Sequence, residues 1–251
     1  MIKFENVKKK FGSREILKGV NLDIVPNKTT VIFGVSGGGK STIIKHIVGL
    51  LKADSGNIFV DNENITKMNI KQLKRVRKKI GFLFQSGALF DSMNVFDNVA
   101  FPIVEHEKNI SKKEIIRRVE EALTLVGLKH GEIIHLFPHE LSGGMRKRVG
   151  LARTIIMKPK ILLYDEPTSG LDPVSSDLIT GMIRHLQDEL RVTSILISHD
   201  VKESFKSGDY FAMLFGGQIV DYGNEYFFKT SASPVIKQFL SGSAKGPIQF
   251  N

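Results

Sequence analysis

Gly34-Val35-Ser36-Gly37-Gly38-Gly39-Lys40-Ser41 is the stretch on which the reading of this chain turns. Thr29-Thr30-Val31-Ile32-Phe33 before it is β-branched and aromatic, as in a buried strand. After it Ile43, Ile44, Ile47, Val48 and Leu51 recur at helical spacing. A glycine-rich loop between a strand and the first turn of a helix lets backbone N–H groups turn toward phosphates, and the helix N-terminus adds partial positive charge. In that arrangement Lys40 reaches the β- and γ-phosphates and the Ser41 hydroxyl ligates Mg²⁺. The pattern arises by chance in roughly one chain per hundred of this length. A merely flexible turn would not need the strand and helix that flank it.

The chain has 251 residues, 41% of them hydrophobic, enough to bury a core as one large domain with a subdomain. No run of 18 or more apolar residues occurs, and Met1-Ile2-Lys3-Phe4-Glu5 leads directly into strand-like sequence. The expectation is a protein that neither crosses a membrane by itself nor is exported. The absence of cysteine excludes disulfides and thiolate metal sites and fits the cytosol. The net charge of +10 gathers at Lys8-Lys9-Lys10, from Lys71 to Lys79, and at Arg146-Lys147-Arg148. Solvated helix faces and proximity to an anionic leaflet both remain as readings. Basic residues are not interleaved with aromatics, which argues against nucleic acid.

Further along, Ile58–Asp61 reads as part of a hairpin and Lys71–Lys79 as an amphipathic helix leading into the strand Ile80-Gly81-Phe82-Leu83-Phe84. From about Val95 to Met157 the pattern is helical, with Ser111 as an N-cap and Gly127 as a C-cap. Ile161–Asp165 and Thr193–Ser198 are short uninterrupted apolar runs, as in parallel strands covered on both faces. Gly216-Gly217 between Phe211–Phe215 and Gln218–Tyr222 signals a second hairpin. From about Ala232 a short helix precedes a Gly/Ser/Pro tail.

The strand ending in Asp165-Glu166 supplies the carboxylates that a phosphate loop needs, one for a Mg²⁺ shell and one to polarise water. Four more landmarks follow in one order. They are Gln85 closing an apolar strand, Leu141-Ser142-Gly143-Gly144-Met145, Ser169-Gly170-Leu171-Asp172, and Ser198-His199-Asp200. Together these resemble the nucleotide-binding subunit of an ATP-binding-cassette (ABC) transporter, over nearly the whole chain. The resemblance implies an α/β P-loop NTPase (RecA-like) core, an N-terminal antiparallel β subdomain and an inserted α-helical signature subdomain. The expected layout is a nucleotide-binding domain over 1–231, its helical part about 95–157, and a tail over 232–251.

The resemblance also implies roles. Gly34, Val35, Ser36, Gly37, Gly38, Gly39, Lys40, Ser41 and Thr42 surround the phosphates of ATP. Ser41, Gln85 and Asp165 hold Mg²⁺, Glu166 is the catalytic base, and His199 touches the γ-phosphate. Gln85 also contacts the attacking water and relays nucleotide state to a membrane partner. Phe11 stands where an aromatic, more often Tyr, stacks on adenine; core packing is its other reading. Ser142, Gly143 and Gly144 match the signature that meets ATP from the opposite subunit, so a head-to-tail homodimer with two shared sites follows. Asp172 matches the loop that couples those sites. His130, His135 and His139 beside Glu140 lack a common zinc spacing and read as loop residues.

Met145 replaces the usual Gln of the signature. With Gln85–Met93, Asn94–Pro102, and the Gln238-Phe239-Leu240 and Gly246-Pro247-Ile248 tail, it is similar to ATPases of the lipid-trafficking Mla-type systems that work with MCE-domain proteins. That similarity implies a pair of integral-membrane permease subunits and a place on the cytoplasmic face of the inner membrane. It further implies phospholipid movement to a periplasmic MCE assembly and a small cytosolic regulator docking on the ATPase. The tail reaches the neighbouring ATPase subunit or is disordered. An importer of amino acids or ions is the alternative. A DNA-repair or translation member would need insertions or tandem cassettes that this chain has no room for.

Overall fold

The computed structural model describes residues 2–249; Met1 of the opening strand-like stretch, and Phe250 and Asn251 of the expected tail, lie outside the described residues. Two compact units divide the fold. One combines residues up to Arg77 with those from Thr193 onward, and the other is Lys78–Val192.

The first unit opens with the antiparallel strands β1 (Ile2–Phe11) and β2 (Arg14–Ile24). Phe4, Val7, Leu17, Val20 and Leu22 point alternately into its core. β3 (Thr29–Gly34) is buried at all six positions, as the β-branched run requires. α1 (Lys40–Ile47) stops earlier than the apolar spacing through Leu51 suggests. Gly49 enters the left-handed region (φ +63), and the N–H groups of Leu50 and Leu51 turn back to the Lys45 carbonyl. β4 (Ser55–Val60) and β5 (Glu63–Asn64) form the first hairpin, turning at Asp61 and Asn62, both at positive φ. The sheet order is β2-β1-β4-β5. α2 (Ile70–Arg77) buries only Val76, so its lysines face solvent.

The second unit begins at β6 (Ile80–Leu83). Its helices are α3 (Val95–His106), α4 (Lys112–Leu125), α5 (His130–Ile133) and α6 (Gly143–Ile155). Asn94, Ser111 and Ser142 cap three of them by accepting a main-chain N–H in the first turn. Gly127, left-handed at φ +63, follows α4. β7 (Ile161–Asp165) runs parallel to β6, and α7 (Pro173–Leu190) closes the unit.

The chain returns through β8 (Thr193–Ile197) and α8 (Val201–Ser207). Then follow the hairpin β9 (Tyr210–Phe215) and β10 (Gln218–Asn224), α9 (Glu225–Thr230) and α10 (Pro234–Ser241). β3 lies between β8 and β9, parallel to both. Phe33 on β3 is ringed by Phe205, Phe211, Phe228 and Phe239, with centroids 5.3 to 6.2 Å away. This aromatic cluster fixes α8, α9 and α10 against the strand that carries the glycine loop.

The tail folds back on α10 as far as Ile248. Gln238, 5% exposed, accepts the Ile248 N–H (2.7 Å) and donates to the carbonyls of Ile248 (2.9 Å) and Ser243 (3.1 Å). Among the described residues no helix is long and apolar enough to cross a membrane.

Candidate active site

One group of candidate residues is built at the end of β3. Gly34 has φ +152, and a Cβ there would lie 2.6 Å from the Leu214 carbonyl of the adjacent strand, so only glycine fits. A Cβ on Gly39 (φ +101) would meet Ile16 at 2.8 Å. Gly38 N–H closes a tight turn onto the Val35 carbonyl (3.1 Å). The Lys40 side chain is 5% exposed and curls inward, donating to the carbonyls of Gly34 (2.8 Å) and Val35 (3.0 Å). Its ammonium therefore sits inside the loop. Ser41 and Thr42 follow, half-buried in the first turn of α1, while Ser36 and Gly37 are exposed. His199, exposed beyond the end of β8, lines one cavity of about 340 Å³ with Gly34, Val35 and Ser36. Phe11 is 48% exposed at the tip of β1 with the Lys9 ammonium over its ring (5.5 Å), so the core-packing reading fails.

A second group of candidate residues belongs to Lys78–Val192. Asp165 ends β7, buried at 6% exposure. Glu166 follows at φ +46, a left-handed conformation that costs a residue with a Cβ about 1 kcal/mol. This outlier turns its side chain toward Gln85, whose Nε2 donates to Glu166 Oε2 (3.3 Å) and Ser169 Oγ (3.1 Å). Gln85 thus joins the carboxylate strand to the Ser169–Asp172 loop. Engaging Nε2 leaves its Oε1 as the prong suited to a cation. Within this unit the Gln85 amide and Asp165 carboxylate offer hard oxygen donors, and in the first unit the Ser41 hydroxyl does too; oxygen donors of this kind suit Mg²⁺.

The signature residues stand at the start of α6. Ser142 accepts the Met145 N–H (3.2 Å) and is exposed, with Gly143 and Gly144 half-buried. A Cβ on Gly143 or Gly144 would just touch Leu171 or Ser175, so the signature packs beside the loop that ends in Asp172. Asp172 caps α7, accepting the N–H groups of Val174 and Ser175 (3.0 Å each). Those bonds, the Ser175 hydroxyl first, hold its carboxyl below the usual range. His130 lies 3.4 Å from Glu120, His139 stacks on Phe137, and Glu140 accepts the Phe137 N–H. Among the described residues no group of three or more His, Cys, Asp or Glu could hold a metal ion.

Three important residues escaped the sequence reading. Asn98 on α3 is fully buried; it accepts the Phe90 N–H and donates to the carbonyls of Phe90, Met93 and Asn94. Arg153 on α6 donates to the carbonyls of Gly87 (3.0 Å) and Ala88 (2.8 Å) and lies over the Phe90 ring. Lys147, also on α6, donates to the Gln85 carbonyl. Arg148 beside it binds the Gly127 carbonyl (3.2 Å), so the basic triplet at 146–148 is not simply a solvated face. A lone Asn within the apolar run of α3 was the one signal available.

The family model described as ABC transporter matches residues 17–169. The chain belongs to the ABC transporter family. It is the ATP-hydrolysing subunit of a transporter and has the α/β P-loop cassette fold. It is 42% identical over 247 residues to the "probable ribonucleotide transport ATP-binding protein mkl" of Mycobacterium leprae, covering 98% of this chain and 70% of that protein. It is 38% identical over 253 residues to the "intermembrane phospholipid transport system ATP-binding protein MlaF" of Haemophilus influenzae, covering 100% of this chain and 94% of the relative. Among solved structures, a dimeric ABC cassette in a post-hydrolysis state, bound to ADP and Pi, superposes with a TM-score of 0.82. It is 31% identical, and the match covers 89% of this chain and 98% of that one.

Proposed function

We propose that this ATPase powers phospholipid trafficking between the inner membrane and a periplasmic MCE assembly. It works as one of two identical subunits on the cytoplasmic face, beneath a pair of permease subunits. The observation that carries the lipid reading is the similarity to MlaF, which extends over 100% of this chain and 94% of the relative. The similarity to mkl favours a second reading, transport of ribonucleotides, but the match takes in 70% of that protein.

In the proposed mechanism the glycine loop and Lys40 bind the β- and γ-phosphates of ATP, and Phe11 stacks on adenine. Ser41, Asp165 and Gln85 would hold Mg²⁺, which when bound neutralises phosphate charge. Glu166 takes a proton from the attacking water; the Gln85 amide on one carboxylate oxygen fixes its orientation. His199 contacts the γ-phosphate. Ser142, Gly143 and Gly144 bind the γ-phosphate of the partner's ATP, and Asp172 relays between the two sites. In this reading residues 232–251 contact the second subunit, which requires the Gln238 bonds to the tail to open or to form between chains. A small cytosolic regulator docking on the ATPase completes the proposed assembly.

The test is gentle solubilisation of tagged protein from its own cell, with mass spectrometry of what co-purifies. A permease, an MCE-domain protein and bound phospholipid are expected. A permease with a solute-binding protein and no lipid would overturn the lipid reading and leave the ATPase mechanism standing.

A further inference from the structure

We infer that Lys147 is a positioning residue for ATP hydrolysis: from the signature helix its ammonium holds the main chain of Gln85, and so aims the Gln85 amide at Glu166. The inference rests on the roles just proposed for Gln85 and Glu166.

The geometry leaves Gln85 in need of such a hold. The parallel ladder between β6 and β7 ends at Leu83 opposite Tyr164, so Gln85 lies two residues beyond it. Directly afterwards the chain turns through Gly87 (φ +75) and Ala88 (φ +47). Main chain that has left a sheet needs another partner for its carbonyls. For Gln85 the Lys147 ammonium is that partner. Two residues on, Arg153 takes the carbonyls of Gly87 and Ala88. Between these two cations Gly150 brings α6 against the same segment, where a Cβ would lie 3.1 Å from the Gly87 carbonyl. One face of the signature helix therefore grips the whole turn. Lys147 is the grip nearest the chemistry, five positions after Ser142 and bonded to the residue whose side chain reaches Glu166 and Ser169.

The choice of residue supports a purpose beyond packing. Lys147 is only 6% exposed, and methionine or leucine would fill similar space without burying a charge. Burial pulls its pKa down, while the Glu166 and Asp165 carboxylates oppose that shift. An apolar side chain would leave the Gln85 carbonyl without its donor, and the amide would wander by more than a hydrogen bond tolerates.

The experiment is steady-state ATPase kinetics of the full chain, purified with the membrane subunits it retains. Lys147→Met is expected to lower kcat about tenfold or more while KM for ATP stays within about twofold. Lys147→Arg, which keeps a cationic donor, should recover most of the loss. In a Gln85→Ala background, Lys147→Met should cost nothing further, because its effect runs through Gln85. Wild-type kcat in Lys147→Met, or losses that multiply in the double variant, would overturn the inference. Should Lys147→Met lose its cooperative unfolding transition, Lys147→Leu, which also lacks a donor, is read against the same thresholds. Glu166→Gln, run alongside, separates the two levels. If it is inactive while Lys147→Met is fully active, only the positioning role falls. If Glu166→Gln itself turns over normally, the base assignment falls and takes this inference with it.

Discussion

Glu166 is held at φ +46, and its Oε2 accepts from the Gln85 amide. Glu166→Gln preserves that shape and removes the basicity. ATP binding should persist, while hydrolysis falls by about a hundredfold or more. Nucleotide-binding titrations beside phosphate-release assays check this; turnover at the wild-type rate would remove Glu166 from the base role. At this scale the sequence was informative wherever chemistry restricts residue type. Few side chains do the work of Lys40, Asp165, Glu166 or His199, so identity and order were enough to suggest them. Lys147 and Arg153 were illegible for the opposite reason. A lysine inside Arg146-Lys147-Arg148 has the composition of a solvated helix face, and only packing reveals that its ammonium points inward. Phe11 was ambiguous because phenylalanine is at home in either setting, and its exposure excludes only the core one.

The elements that carry these residues depend on buried polar atoms. Asn98 of α3 satisfies the N–H and carbonyl of Phe90 together with two further carbonyls. Asn98→Ala strands those groups and should cost about 2–4 kcal/mol, read from denaturant unfolding. A loss within error would show that water replaces the amide. On α1, His46 is 1% exposed and its ring Nδ1 lies 2.7 Å from the Thr42 carbonyl. Burial, the largest cause, pulls its pKa below the ordinary value of 6.5, so the folded state keeps the ring neutral. The unfolded chain then binds more protons at low pH, and this contribution is present above about pH 6.5 and lost as the pH falls through it. His46→Gln should flatten the fall in thermal midpoint between about pH 7.5 and 5.5; an unchanged slope would assign that fall to other groups. Strands and hairpins were legible because β-branched runs and turn residues are local signals. The end of α1 was not, because Val48 and Leu51 continue the apolar spacing while Gly49 ends the helix.

For the whole molecule, the +10 charge separates into unlike parts. α2 leaves its lysines in solvent, whereas Lys9 pairs with Asp54 at 2.8 Å and Lys147 is buried. Net charge alone therefore overstates what any partner would meet. The shared-site dimer belongs at this scale too. Ser142 is exposed at the start of α6, and in the proposed shared site Ser142→Arg would place bulk and charge where the partner's γ-phosphate binds. ATP-dependent dimerisation of a Glu166→Gln protein, followed by light scattering, should disappear when Ser142→Arg is added. If the doubly substituted protein still dimerises with ATP, each site is complete within one chain. The discontinuity of the first unit sets a timetable as well. β3 needs β9, and Gly34 pairs with Leu214, 180 residues further along the chain. At about 5–20 residues per second, a ribosome takes roughly 10 to 40 seconds to supply that neighbour. The contiguous stretch Lys78–Val192 emerges complete in the meantime, whereas the strand bearing the glycine loop must wait, apolar on both faces, for its parallel partners. Each newly made copy thus passes through an interval in which the strand that carries the glycine loop stands without its neighbours, and a chaperone that shields it would act there.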